Sequence, residues 1–258
     1  MKAVIMAGGN GIRLRPLTCT LPKPMVKLCG RPVMEHILLL LKKHGFNSVM
    51  ATLGYMPQEI ENYFEGGEKL GISFDCVTER EPRGTAGSVK LCESFIGGED
   101  FLVISGDAVC DFDLEAAAKF HRKNGADVTI LTCRNTHPTR YGLVLCDKNG
   151  DVEGFLEKPS WNQVFGDQVN TGIYFIKPSV LAEIPENAAF DFAKDLFPKL
   201  LKKGSRLTVC EAKGYWCDIG DTDAYLQCVF DILNGDVNIE LPAPKTGEGV
   251  YMNSVLPS

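Results

Sequence analysis

The chain has 258 residues, 45% of them hydrophobic and 23% charged, with a formal net charge of −6. That is the profile of an ordinary globular protein, long enough for one large α/β domain. The negative balance argues against a nucleic-acid partner, and the longest apolar run, Ile37 to Leu41, is far too short to span a membrane.

In chain order, Lys2–Met6 reads as a buried strand and Val33–Lys43 as a helix after Pro32, stopped by Gly45. Ser48–Leu53 is the next strand, Pro57–Phe64 a helix and Ile72–Val77 a strand. Thr85–Phe95 reads as helix, Phe101–Ser105 as a continuous apolar strand, and Leu114–Asn124 as a helix closed by Gly125. Ala126–Cys133 is again a strand. Strands separated by helix-length segments imply right-handed crossovers and a mostly parallel sheet covered on both faces.

The second half has another texture. Tyr141–Cys146 and Val152–Glu157 flank Asp147-Lys148-Asn149-Gly150 and read as a hairpin, with Asn-Gly as the turn signal. Val169–Ile176 is a strand, Phe192–Lys203 a helix ended by Gly204, and Leu207–Glu211 and Tyr215–Cys217 are short strands. Thr222–Asn234 is a helix stopped by Gly235. With no linker between the halves, residues 1–235 are expected to form one domain with an added mixed-sheet lobe. The segment 236–258, rich in Pro and Gly, is expected to lie outside that core as a tail. None of the ten cysteines forms a C-x-x-C pair, and most stand in apolar contexts, so they read as reduced core residues. No secretory signal opens the sequence, and a cytoplasmic location is expected. A homo-oligomer is compatible with the composition, although the sequence sets no stoichiometry.

The loop after the first strand, AGGNGIRLRPLTCTLPKP from Ala7 to Pro24, is where chemistry concentrates. In a parallel α/β sheet, ligands bind beyond the carboxyl ends of the strands, and the first strand-to-helix loop is the usual phosphate site. Gly8, Gly9 and Gly11 let backbone N–H groups approach an anion. Arg13, Arg15 and Lys23 add charged donors, and Pro22 and Pro24 stiffen the chain around Lys23. The Walker pattern is absent, and the dinucleotide fingerprint G-x-G-x-x-G fails because Gly9-x-Gly11 is followed by Leu14. A nicotinamide oxidoreductase is further disfavoured by the second strand, which runs into Thr52 and Leu53 with no acidic residue at its end.

GNGIRLRPLT followed by Pro22-Lys23-Pro24 resembles the signature of the sugar-1-phosphate nucleotidylyltransferases. The further landmarks fall in order: EPRGTAGSV from Glu81, ISGDAVCDFD from Ile104, YGLVLCD from Tyr141, FLEKP from Phe155, NTGIY from Asn170 and GYWCDIGD from Gly214. Within the family the wording is most similar to the mannose-1-phosphate guanylyltransferases. The resemblance implies an α/β, Rossmann-like three-layer sandwich with a mostly parallel mixed central sheet and a small sugar-binding β lobe. It implies an NTP and a sugar 1-phosphate as substrates, joined to give a nucleotide sugar and pyrophosphate, with Mg²⁺ as cofactor and neither nucleic acid nor membrane as partner.

Such a reaction needs positioning and charge neutralisation more than a strong base, because the nucleophile is already a phosphate oxygen. Asp107 follows a buried apolar strand and a Ser-Gly step, which puts its carboxylate beside the phosphate loop. Asp218 matches the family's second metal ligand. Arg13 is expected to grip the β- and γ-phosphates, with the backbone of Ala7, Gly8, Gly9 and Gly11. Lys23 is expected on the α-phosphate or the sugar phosphate, and Lys158 matches the lysine that holds the sugar phosphate. Glu157, Gly142, Asn170 and Thr171 match sugar contacts. The base is expected against the small-residue step Gly84, Thr85 and Ala86, with Glu81 and Pro82 at its edge. Asp111, Asp113 and Asp221 are taken as caps or turn residues.

Two departures stand out. The family pattern has Thr where this chain has Ile12; backbone N–H groups are expected to carry the anion regardless. Gly249-Val250-Tyr251 resembles the start of a left-handed β-helix into which relatives often continue. Glucose 1-phosphate with UTP, ATP or dTTP, heptose 1-phosphate, and a non-catalytic nucleotide-sugar-sensing subunit remain alternatives to GTP with mannose 1-phosphate.

Overall fold

Aliphatic runs that are too short for helices form the centre of the protein. The computed structural model describes residues 1–164, 166–247 and 250–251. Its first half comprises β1 (Lys2–Ala7), the ribbon β2 (Lys27–Leu28) and β3 (Arg31–Pro32), α1 (Val33–Lys43), β4 (Ser48–Leu53), α2 (Pro57–Phe64) and β5 (Ser73–Thr78). Then come α3 (Gly84–Lys90), α4 (Glu93–Ile96), β6 (Phe101–Ser105), β7 (Ala108–Cys110) and α5 (Leu114–Asn124). The second half supplies β8 (Val128–Arg134), β9 (Gly142–Cys146), β10 (Val152–Glu157), β11 (Gln168–Ile176), α6 (Phe197–Lys202), β12 (Leu207–Glu211), β13 (Trp216–Asp218) and α7 (Thr222–Asn234). The ribbon β14 (Lys245–Gly247) and β15 (Val250–Tyr251) follows.

Among the described residues, nine strands pair into one sheet in the order β10–β9–β11–β6–β1–β4–β5, with β8 also beside β11 and β12 beside β8. β6, β1, β4 and β5 are mutually parallel, whereas β11 runs antiparallel to β6 and β8. Because β1 lies between β4 and β6, successive crossovers leave it in opposite directions. That opens a crevice at its carboxyl end, where such sheets take ligands.

Side chains along the central strands alternate between two cores. Ala3, Ile5, Leu102 and Ile104 face a cluster completed by α1, α2, α5 and α7. Val4, Phe101 and Val103 face a second one with α3, α4 and α6. The result is the three-layer, Rossmann-like arrangement expected from the alternation of elements.

Where local structure departs from expectation, a backbone cause is visible. The expected helix 85–95 breaks into α3 and α4, because Leu91 and Cys92 bond three residues back to the Ser88 and Val89 carbonyls. The expected helix from Phe192 begins as a π turn, with Leu196 N–H reaching the Asp191 carbonyl, and Pro198 has no N–H to extend an α-helical ladder through that point. The strand expected at Tyr215–Cys217 lies one residue later, at Trp216–Asp218. It pairs with β7, a strand of three residues that carries no sequence signal of its own.

The segment set apart as a tail begins inside the core: Val237 is buried, and Ile239 and Leu241 pack against the same cluster as α1. Their apolar side chains complete a surface left open by α1 and α7. The Gly249-Val250-Tyr251 feature falls partly outside the described residues and 252–258 wholly so; Val250–Tyr251 pairs with Lys245–Gly247.

Candidate active site

The crevice at the carboxyl ends of β1 and β6 is held tightly closed at its base. Gly106 N–H donates to the Met6 carbonyl at 2.8 Å, and a Cβ on Gly106 would stand 2.7 Å from that oxygen, so the turn into Asp107 requires glycine. Ser105 Oγ donates to Asp107 Oδ1, and Lys23 Nζ donates to Asp107 Oδ2. Lys23 is only 9% exposed, held in a short 3₁₀ turn between Pro22 and Met25. The β7–β13 pairing sets Asp218 opposite Ala108, and Ile219 N–H donates to the Asp107 carbonyl at 3.0 Å. One ammonium therefore stands between two carboxylates.

The two acids are not equivalent. Removal from water raises the cost of charge on Asp107, but the Lys23 ammonium and the bonds from Lys23 and Ser105 outweigh it and hold the carboxyl below its ordinary range. Asp218 is pushed up, first by burial and then by the charge of Asp107, with Lys23 and Arg13 opposing. Its Oδ1 lies 3.6 Å from Lys23 Nζ, beyond hydrogen-bond range, and is buried without a partner among the described residues. An orphaned carboxylate oxygen beside a second acid fits a hard divalent ion such as Mg²⁺, which uses one or two protein carboxylates and fills its shell from phosphate and water.

Two clefts meet at this point. One, of about 520 Å³, is lined by Gly8, Gly9, Asn10, Glu79, Glu81, Pro82 and Gly84. The other, of about 450 Å³, is lined by Arg13, Gly142, Glu157, Lys158, Asn170, Thr171 and Asp218. Met6, Thr85, Ser105, Asp107 and Asp191 line both. The residues of this second cleft come together because β11 shifts register between Asn170 and Tyr174, with Gly172 at φ +74, which turns that stretch toward the hairpin of β9 and β10. Gly142 leaves room for Glu157, whose Oε2 would lie 3.2 Å from a Cβ there. Lys158 adopts the left-handed region at φ 42 and is exposed on the cleft, while the following Pro159 is buried. Arg13 flanks Asp218 across Gly220; a Cβ on Gly220 would be 3.3 Å from both Arg13 Nη2 and Asp218 Oδ2.

Some predicted contacts take other parts. Ala86 is fully buried, and its N–H is committed to the Phe190 carbonyl at 2.9 Å, so it cannot face a base. Thr85 Oγ1 donates to Asp191 Oδ2 at 2.8 Å and accepts the Phe192 N–H at 2.9 Å, making it a strut between the two clefts. Ala7 is buried at the end of β1 and lines neither cleft. Gly11, at φ +58, accepts the Thr18 hydroxyl and packs against the Lys23 stem, so it shapes the loop from behind. Thr171 spends its hydroxyl on the Leu131 carbonyl and offers the cleft only backbone. Ile12 is 62% exposed and contributes nothing to the core. Among the described residues no hydrogen bond engages the amides of Gly9 and Asn10.

Three residues escaped the sequence reading. Glu79 follows β5, its Oε2 accepts the Arg83 N–H at 3.0 Å, and its Oε1 would lie 2.7 Å from a Cβ on Gly8. Burial pushes its carboxyl upward. Asp191 caps the helix start through the Ala193 and Lys194 amides and faces both clefts. Arg140 pairs with Asp221 at 3.0 Å in the lining of the cleft that holds Lys158. The carboxyl-end rule that singles out Asp107 also applies to Glu79; for the other two, no pattern distinguishes them from ordinary caps and surface charges.

Comparison with known proteins gives the family and the fold. The family model for nucleotidyl transferases matches residues 2–235. The chain belongs to the nucleotidyl transferase family. Among its sugar-1-phosphate relatives, a UTP–glucose-1-phosphate uridylyltransferase from Synechocystis is 37% identical over 267 residues, covering 97% of this chain and 68% of that protein. The mannose-1-phosphate guanylyltransferase catalytic subunit beta of Xenopus tropicalis is 36% identical over 231 residues, covering 88% of this chain and 63% of that protein. This family member thus spans less than two thirds of the frog enzyme. Of solved structures, a putative glucose-1-phosphate thymidylyltransferase from Bacillus anthracis superposes with a TM-score of 0.80 at 25% identity, covering 89% of this chain and 94% of that one. HddC from Yersinia pseudotuberculosis, complexed with GMP-PN, gives 0.78 at 26% identity, covering 90% and 99%. Among the described residues no helix is long and apolar enough to cross a membrane.

Proposed function

We propose that this protein joins an NTP to a sugar 1-phosphate, releasing pyrophosphate, and that the preferred pair is GTP and mannose 1-phosphate. The observation that carries the reading is the Asp107–Lys23–Asp218 constellation, in which Asp107 lines both clefts, Asp218 lines one and Lys23 is buried behind them. It supports a reaction between two polyanions, one in each cleft, meeting where positive and negative charge are both fixed.

The Gly9 and Asn10 amides are suited to phosphate oxygens on the nucleotide side, and Arg13 to the charge that grows on the departing pyrophosphate. Lys158 is suited to the sugar phosphate, and Glu157 to a diol of the ring, since a carboxylate accepts two hydrogen bonds. Asp107 and Asp218 are the residues that would hold Mg²⁺. When bound, the ion would offset the negative charge of the phosphates.

The choice of guanine rests on Glu79. A carboxylate has acceptors only, and guanine presents two adjacent donors, its N1–H and 2-amino group. Uracil and thymine present one N–H flanked by carbonyls, which a carboxylate repels. Relatives do not decide this, because the uridylyltransferase and guanylyltransferase resemble the chain almost equally, at 37% and 36%. Mannose is favoured by the similarity of EPRGTAG and FLEKP to the guanylyltransferases. Free NTPs and unpaired cysteines both belong to a reducing cytoplasm, where we place the protein.

Measuring pyrophosphate release over a matrix of NTPs and sugar 1-phosphates, with and without Mg²⁺, tests the proposal. Fastest turnover with GTP and mannose 1-phosphate, dependent on Mg²⁺, is expected. A faster UTP or dTTP pair would overturn the base assignment. No turnover with any pair, alongside tight binding of a nucleotide sugar, would leave a sensor in place of an enzyme.

A further inference from the structure

Asp111 lines neither cleft, yet its side chain ties separate segments of the chain together. Its Oδ1 accepts the Tyr215 N–H at 2.7 Å, next to β13, and its Oδ2 accepts the Asn238 N–H at 2.9 Å. Asp111 N–H returns a bond to the Tyr215 carbonyl at 3.3 Å. Gly214, at φ +125, is what permits this approach, since a Cβ there would stand 2.3 Å from Asp111 Oδ1. Together these bonds close one end of the β7–β13 ribbon. At the other end of the same ribbon Ala108, next to Asp107, faces Asp218.

The Asn238 partner belongs to an anchored strap. Val237 is buried, Ile239 N–H closes a tight turn on the Val237 carbonyl at 3.0 Å, and Arg31 Nη1 donates to the Glu240 carbonyl at 2.8 Å. Pro242 lies against Gly30, whose added Cβ would come within 3.0 Å of its Cγ. The strap 237–242 therefore runs from Asp111 to the β2–β3 ribbon, which directly follows the Lys23 turn. It touches the residue that follows β7 at one end and the ribbon that follows the Lys23 turn at the other.

We propose that Asp111 is a positioning residue for the Asp107–Asp218 pair and that, through the Asn238 amide, docking of the strap is coupled to the spacing of the two carboxylates. The inference builds on the reading of these two acids as cation ligands. A carboxylate that accepts backbone N–H groups from both the strap and the residue leading into β13 transmits a displacement of one to the other. Coupling of this kind is reciprocal: a cation held by the pair stabilises the docked strap as much as the docked strap stabilises the bound cation.

Two variants test it, Asp111→Asn and Asn238→Pro. Asn238 is the middle residue of a tight turn outside the left-handed region, so proline accepts that backbone and removes the N–H together with an exposed side-chain amide. Binding of Mn²⁺ alone is followed by electron paramagnetic resonance, and amide hydrogen exchange is followed over residues 108–110, 216–218 and 237–242. Asp111→Asn is expected to weaken Mn²⁺ binding by about tenfold, because it removes the charge that holds the Tyr215 and Asn238 N–H groups together. Asn238→Pro is expected to weaken it by about threefold, as one hydrogen bond warrants. Both should speed exchange in the β7–β13 ribbon, and Mn²⁺ should slow exchange across the strap of the unaltered protein.

Unchanged exchange in the ribbon of Asn238→Pro overturns the coupling, and that result is readable even if Asp111→Asn does not fold. Unchanged Mn²⁺ affinity in a folded Asp111→Asn overturns the positioning assignment. If the unaltered protein binds no Mn²⁺, or Asp107→Asn binds it equally well, the cation reading fails, while the exchange data still decide whether strap and ribbon are coupled.

Discussion

Glu79→Gln is the sharpest perturbation of the base site. The replacement keeps one acceptor and turns the other oxygen into an amide donor, without changing length. Oε2 accepts the Arg83 N–H at 3.0 Å, so the remaining carbonyl oxygen of the variant stays on that amide and the new NH₂ takes the place of Oε1 beside Gly8. Guanine then loses one charge-assisted hydrogen bond and meets a donor with its own donor. A bond to a charged group contributes about 1.5–3 kcal/mol, and the half-burial of Glu79 favours the lower end of that range. At about 1.4 kcal/mol per decade, kcat/KM for GTP should fall by roughly 10- to 100-fold. For UTP the same change converts a repelled carbonyl into an accepted one, and kcat/KM should rise. Steady-state pyrophosphate release with each NTP at fixed sugar phosphate reads both numbers. A Glu79→Gln enzyme whose GTP/UTP preference matches the parent would refute the assignment of this carboxylate to the base.

Other expectations follow from the same geometry. Burial holds the Glu79 carboxyl above its ordinary range, so its charged form is populated only once pH climbs past that raised value. The GTP/UTP ratio of kcat/KM should therefore grow as pH leaves the acid range and stay flat in Glu79→Gln; a flat ratio in the parent would count against it. Lys158→Ala should raise KM for the sugar phosphate by about tenfold with little change for the NTP, as loss of a charge-assisted contact implies; the reverse pattern would move Lys158 to the nucleotide side. Ile12→Thr should leave stability and kcat/KM within about twofold, because the side chain is exposed and the loop offers backbone amides to the anion; a large gain would show that the hydroxyl matters.

Legibility of the fold in the sequence tracked how strongly each segment was forced. The boundaries of α1, β4, α2, β6, α5, β10, β12 and α7 fall at the residues where periodicity, Pro, Gly or Asp punctuate the chain. Asp113 and Asp221 are indeed helix caps, accepting the Ala116 and Ala224 amides. Asp107 was legible because a four-residue apolar run and a Ser-Gly step can end only at the mouth of a sheet. The β7–β13 ribbon was not, because a three-residue strand has no period and its partner lies over a hundred residues away. The same distance hid the roles of Thr85 and Asp111, each of which is defined by a partner that the local sequence does not mention. Ala86 misled for a related reason: a small residue at a helix start signals close approach, and here the approaching group is the Phe190 carbonyl.

The central claim is that the paired carboxylates around Lys23 are the machinery of nucleotidyl transfer, and Asp107→Ala tests it most directly. Removing Asp107 leaves Asp218 as a carboxylate neighbour 3.6 Å from the Lys23 ammonium, so the buried cation stays paired and the fold should persist. Pyrophosphate release from GTP and mannose 1-phosphate should then fall to background while the far-ultraviolet dichroism and Tm stay near those of the parent. A folded Asp107→Ala protein that turns over at the parental rate would contradict the claim.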